Sequence, residues 1–134
     1  MTKITLKGNP IKTSGELPQI GKKAPGFKLV KNDLSIAKLK DFKGSKLLLN
    51  ITPSLDTGVC AASLRKFNEA AAKVENVTII NISRDLPFAQ ARFCGAEGID
   101  KAITLSDFNT GKFGKKYGVT IKTGPLSGLH SRAV

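Results

Sequence analysis

A nearly unbroken apolar run, Leu47-Leu48-Leu49-Asn50-Ile51, constrains this chain more than any other stretch. It has the length of a buried strand and stops at Pro53, after which apolar positions return every three or four residues: Cys60, Leu64, Phe67, Ala71 and Val74. That spacing predicts an amphipathic helix running to about Lys73, with Cys60 in its first turn and on its inward face. Val77-Thr78-Ile79-Ile80-Asn81-Ile82, rich in β-branched residues, predicts a second buried strand. A strand, a helix and a strand in that order form a crossover, so the two strands are expected to be parallel and the fold class α/β.

The 134 residues fit one domain, here 1–134, with room for a real core. Residues 3–12 read as a hairpin turning at Gly8-Asn9-Pro10, an N-terminal addition to a larger sheet. Phe27-Leu29 and Leu34-Ile36-Leu39 flank Lys31-Asn32-Asp33 and predict a second hairpin. Asp85-Leu86-Pro87 signals a helix start, and Gly95 and Gly98 signal its stop, so Cys94 closes a short helix. A strand at Ala102–Leu105, a short helix at Phe108–Tyr117, a loop from Val119 to Gly128 and the first residues of another strand in His130-Ser131-Arg132-Ala133-Val134 complete the pattern.

Composition excludes several classes. No N-terminal run has the apolar length of a signal peptide and none approaches a membrane span, so a soluble, cytoplasmic protein without a membrane partner is expected. The net charge of +12 raises a polyanion partner as a rival reading. Its distribution argues against one: residues 1–46 carry 11 lysines against 3 acids, residues 47–99 are balanced, and 18 of the 22 basic residues are lysines spread singly. One histidine, His130, cannot build a His-based metal cluster, no phosphate-binding or zinc-binding motif occurs, and His130 reads as a surface loop residue.

The two cysteines remain, too few for a disulfide scaffold. Cys60 opens a helix, where free N–H groups and the positive end of the macrodipole stabilise a thiolate, whereas Cys94 closes one, where they do not. One is placed to attack and the other to wait. Each also has an ordinary packing alternative, since cysteine is a common small core residue.

The pattern Pro53-x-x-x-Thr57-x-x-Cys60 at a strand-to-helix junction resembles the active-site signature of peroxiredoxins. The wider stretches NITPSLDTGVCAASLRKFNEAA, DLPFAQARFCGAEG and GPLSGLHSRAV, in order and over nearly the whole chain, resemble the bacterial thiol peroxidase subfamily. The resemblance implies a thioredoxin-like fold with an N-terminal hairpin, and an enzyme that reduces hydrogen peroxide and alkyl hydroperoxides. In it Cys60 is the peroxidatic cysteine and Cys94 the resolving one, joined in an intramolecular disulfide that thioredoxin reduces. Thr57 would offer its hydroxyl to the thiolate and the peroxide, Pro53 would shield the site, and Arg132 would hold a fixed cation beside the sulfur. No metal, haem or flavin cofactor is implied, and a homodimer is. Taken singly, Thr57 could be a helix N-cap, Pro53 a turn former, Arg132 a surface charge, and Ser54 and Asp56 turn and capping residues.

Such a fold normally continues past the arginine strand into a hairpin partner and a final helix, about thirty residues more in a typical domain. The expectation is therefore a C-terminally truncated thioredoxin-like domain. A non-enzymatic peroxide sensor or thiol-relay protein with the same cysteine chemistry stands as the first rival, and a basic nucleic-acid-binding module as the second.

Overall fold

The computed structural model describes residues 3–6, 8–71 and 73–134. Lys7 in the predicted hairpin and Ala72 in the predicted helix lie outside the described residues, as does the side chain of Leu6. Five strands form one mixed sheet: β3 (Lys28–Val30), β4 (Ile36–Lys38), β5 (Lys46–Ile51), β6 (Val77–Ser83) and β7 (Ala102–Ser106), in the spatial order β4-β3-β7-β6-β5. β1 (Lys3–Leu6) and β2 (Asn9–Lys12) make the separate N-terminal hairpin, with Asn9 and Pro10 already in the return strand rather than in the turn.

β5 and β6 run parallel over six residue pairs from Lys46↔Val77 to Ile51↔Ile82, and β6 pairs parallel with β7. The connecting helix, α1 (Gly58–Ala71), and the second, α2 (Pro87–Glu97), lie on one face of the sheet, the arrangement a right-handed crossover imposes. α3 (Lys112–Tyr117) covers the other face.

The pleat sorts side chains between these faces. Leu47, Leu49 and Ile51 of β5 join Ile80, Ile82, Leu105, Leu29, Phe113 and Tyr117 in the main core, with the Phe113 and Tyr117 rings stacked at 4.2 Å. The face beneath α1 is mixed, with Leu48, Ile79 and Ala102 in one row and polar residues in the next. Asn50, Asn81 and Thr104 occupy one row across three strands, all buried, and Asn50 Nδ2 donates to Asn81 Oδ1 at 3.0 Å. A smaller apolar cluster of Leu55, Leu64 and Ile99, with Phe93 and Cys94 against it, packs α1 to α2.

Two predicted elements differ. Val74 lies beyond α1 (Gly58–Ala71) and is half exposed, its N–H bonding back to the Ala71 carbonyl. The helix expected over Phe108–Tyr117 begins only at Lys112. Asp107 folds its carboxylate back onto the N–H groups of Phe113 and Gly114, at 3.4 and 3.1 Å, and leaves residues 108–111 as a turn ahead of the helix. The segment from Val119 onward is more ordered than a free loop: Thr120 bridges to His130, and Ile121 to Thr13 of the hairpin segment. Among the described residues no helix is long and apolar enough to cross a membrane.

Candidate active site

The strand β5 delivers the chain to Thr52 and Pro53, and a tight turn over Ser54-Leu55-Asp56-Thr57 leads into α1. Leu55 anchors this turn in the small apolar cluster, while Thr57 is exposed and Pro53 half-buried. Two residues into α1, Cys60 is fully buried. Its sulfur accepts a hydrogen bond from Arg132 Nη2 at 3.0 Å, so residues 72 positions apart in sequence meet at the first turn of the helix.

Arg132 reaches that position because its segment is tied down on both sides. Ala133 and Ile51 exchange backbone hydrogen bonds of 3.0 and 2.8 Å, pairing the chain antiparallel to the edge of β5, and Ser131 N–H donates to the Val119 carbonyl at 2.7 Å. Arg84 secures the approach, donating to the carbonyls of Gly128 at 3.1 Å and Phe108 at 3.0 Å.

His130 corrects the reading as a surface residue. It is fully buried, its Nε2 lies 2.9 Å from Asp107 Oδ2, and its ring packs against Phe113. Space for the ring comes from Gly114, where a Cβ would meet Thr120 Oγ1 at 2.2 Å and the imidazole at 3.1 Å. Polar residues enter a core when a partner accepts them, and Asp107 is that partner.

Thr57 donates its hydroxyl to the Ser54 carbonyl at 2.9 Å, and its own carbonyl accepts the Ala61 N–H. Cys94 sits in the last full turn of α2, where the N–H of Gly98, left-handed at φ +66°, bonds the Cys94 carbonyl. Its thiol faces Thr104 Oγ1 at 3.8 Å, at the end of the buried polar row, and burial raises its pKa above the ordinary thiol value. Both cysteines are free. Among the described residues no group of three His, Cys, Asp or Glu side chains could hold a metal ion.

Sequence reasoning missed Asp85. Taken as part of a helix-start signal, its carboxylate does not cap α2, whose N-cap is Leu86. It reaches to the turn before α1 instead, accepting from Ser54 Oγ at 2.6 Å and the Leu55 N–H at 2.8 Å. The signal was the triplet Ser83-Arg84-Asp85, in which the Ser83 hydroxyl donates to Asp85 at 2.9 Å.

Residues 19–134 match the family model described as Redoxin. The chain is 52% identical over its whole length to the thiol peroxidase of Corynebacterium glutamicum, covering 81% of that protein. The fold superimposes on a peroxiredoxin-like protein from Aquifex aeolicus with a TM-score of 0.90 at 38% identity, and on the thiol peroxidase from Chromobacterium violaceum with 0.89 at 26%. In both cases 97% of this chain and 75% of the other are covered.

Proposed function

The chain belongs to the Redoxin family and, within it, to the thiol peroxidases, and from that premise we propose that it reduces hydrogen peroxide and alkyl hydroperoxides through Cys60. The observation that carries this reading is the 3.0 Å contact between the Arg132 guanidinium and a fully buried sulfur in the first turn of a helix. A sulfur so placed has an oriented cation beside it and little water around it, the setting in which charge on a thiolate and on a departing oxygen is stabilised most.

The Cys60 thiolate attacks one peroxide oxygen, the O–O bond breaks, and the second oxygen leaves as water or an alcohol after taking a proton. Sulfur is oxidised by two electrons to the sulfenic acid. Arg132 holds the attacking sulfur and meets the charge that moves onto the leaving oxygen. The Cys94 sulfur then attacks Cys60, forming the S–S bond and releasing the hydroxyl as water, and a dithiol reductant of the thioredoxin type regenerates both thiols by exchange. In this reading Pro53, half-buried and without an N–H, shields the sulfur, and Thr57 reaches the peroxide once its hydroxyl turns from the Ser54 carbonyl. The family likeness extends this reading to a homodimer in the cytoplasm and to one thioredoxin-like domain over 1–134.

An NADPH-coupled assay with thioredoxin and its reductase tests the proposal. Wild type is expected to turn over, Cys60→Ser to be inactive, and Cys94→Ser to consume a single equivalent of peroxide and stop at the sulfenic acid. Stoichiometric oxidation of wild type without turnover would replace the enzyme by a sensor or relay.

A further inference from the structure

The carboxylate of Asp85 is the point at which the turn leading to Cys60 and the start of the helix carrying Cys94 are joined. Three donors converge on it: Ser54 Oγ at 2.6 Å and Leu55 N–H at 2.8 Å from the turn before α1, and Ser83 Oγ at 2.9 Å from the end of β6. Ser83 is held in turn, accepting from the Asp85 N–H at 3.2 Å and from the buried Gln90 Nε2 at 3.0 Å, and Gln90 lies in the first turns of α2. Ser106 of β7 donates to the Asp85 carbonyl. The side chain is thus fixed from the sheet and from α2, and it presents both oxygens to the turn before α1, one to Ser54 and the other to Leu55.

We infer that Asp85 is a positioning residue that holds Cys60 in its attacking geometry, and that release of its Ser54 and Leu55 contacts is the event that lets the first turn of α1 open toward Cys94. The inference rests on the peroxidase reading above. Two steps make opposite demands on this turn. Attack on peroxide uses the closed turn, with Cys60 fully buried against Arg132; condensation with Cys94 requires the Cys60 sulfur to leave Arg132 and the Cys94 sulfur to leave Thr104, and opening of this turn is the movement inferred to free the first. A contact present only in the closed form therefore favours the first step and slows the second. The second step joins the two sulfurs, breaks the Cys60 S–O bond and releases water, with the proton supplied by the Cys94 thiol.

The test separates the two rates in the full chain. Reduced protein is mixed rapidly with hydrogen peroxide and quenched, and sulfenic acid and disulfide are counted by mass. Asp85→Asn cannot accept from all three donors, since its amide nitrogen is itself a donor. It is expected to slow oxidation of Cys60 and to speed disulfide formation, each by about tenfold, the size of one hydrogen bond to a charged acceptor. Ser54→Ala, which removes one donor and leaves Asp85 in place, is expected to move both rates in the same senses by less, and Ser54→Thr, which keeps the hydroxyl, to restore them. A general loss of structure lowers both rates together and cannot produce opposite shifts. If Asp85→Asn fails to fold, the Ser54 pair decides. A wild type whose Cys60 is not oxidised sinks the peroxidase reading itself; a wild type that turns over while the variants leave both rates unchanged, or lower both, overturns the role of Asp85 alone.

Discussion

Cys60 and Arg132 show how a long-range contact turns an ordinary helix cysteine into a candidate nucleophile. Burial alone gives a small core residue; burial against a guanidinium gives a sulfur with an oriented donor. Replacing Arg132 by Met is expected to slow the reaction of Cys60 with hydrogen peroxide by about a hundredfold, the usual cost of losing one preorganised donor. Stopped-flow mixing would measure it, and a rate within a factor of two or so of wild type would remove Arg132 from the mechanism. Cys60 itself could be read from its place in the sequence, since the apolar spacing put it on the inward face of a helix start. His130 could not. Nothing local marks a histidine as buried when its partner, Asp107, lies 23 positions away and the room for its ring is a missing Cβ at Gly114. Asp107→Ala leaves His130 and the N–H groups of Phe113 and Gly114 unpaired in the core, an expected loss of roughly 3 kcal/mol in denaturant unfolding.

The elements that carry chemistry differ in how they treat a thiol. α1 begins at the site, with Cys60 in its first turn; Cys94 lies in the last turns of α2, half-buried against the Leu55, Leu64 and Ile99 cluster and facing Thr104. Desolvation holds the Cys94 thiol protonated above the ordinary range. Because the thiolate is the attacking form, disulfide formation is expected to accelerate with rising pH well past neutrality; quenched-flow measurements across pH would show this. The stability effect has the opposite sense. In the unfolded chain Cys94 ionises first, so native stability is complete below the ordinary thiol value and falls as pH climbs through the raised one, and Cys94→Ser should flatten that fall in alkaline denaturant titrations. Strands and helices around these cysteines were legible because each has its own periodicity. The late start of α3 was not, because the Asp107 carboxylate that bonds its first N–H groups also pairs with His130 across the chain.

Across the whole molecule, the parallel β5-α1-β6 unit followed from sequence order, but the pairing of β3 with β7 through Val30↔Ser106 did not. Antiparallel contact between strands some seventy residues apart leaves no local pattern to read; only the closed sheet determines it. Charge behaves differently, being visible in sequence yet remote from the chemistry: the lysine-rich first 46 residues contribute most of the +12, whereas the stretch bearing both cysteines is balanced. Hydrogen peroxide is uncharged, so the rate of Cys60 oxidation is expected to stay nearly constant as salt rises from low to physiological strength, and a steep salt dependence would instead implicate the basic surface. The full burial of Cys60 has one more consequence. A maleimide is too bulky to reach a sulfur with no exposed surface, so it can label Cys60 only in molecules whose helix start has come undone. At high reagent concentration the labelling rate then stops depending on the reagent and equals the frequency of that excursion. The sulfur becomes a clock for its own enclosure.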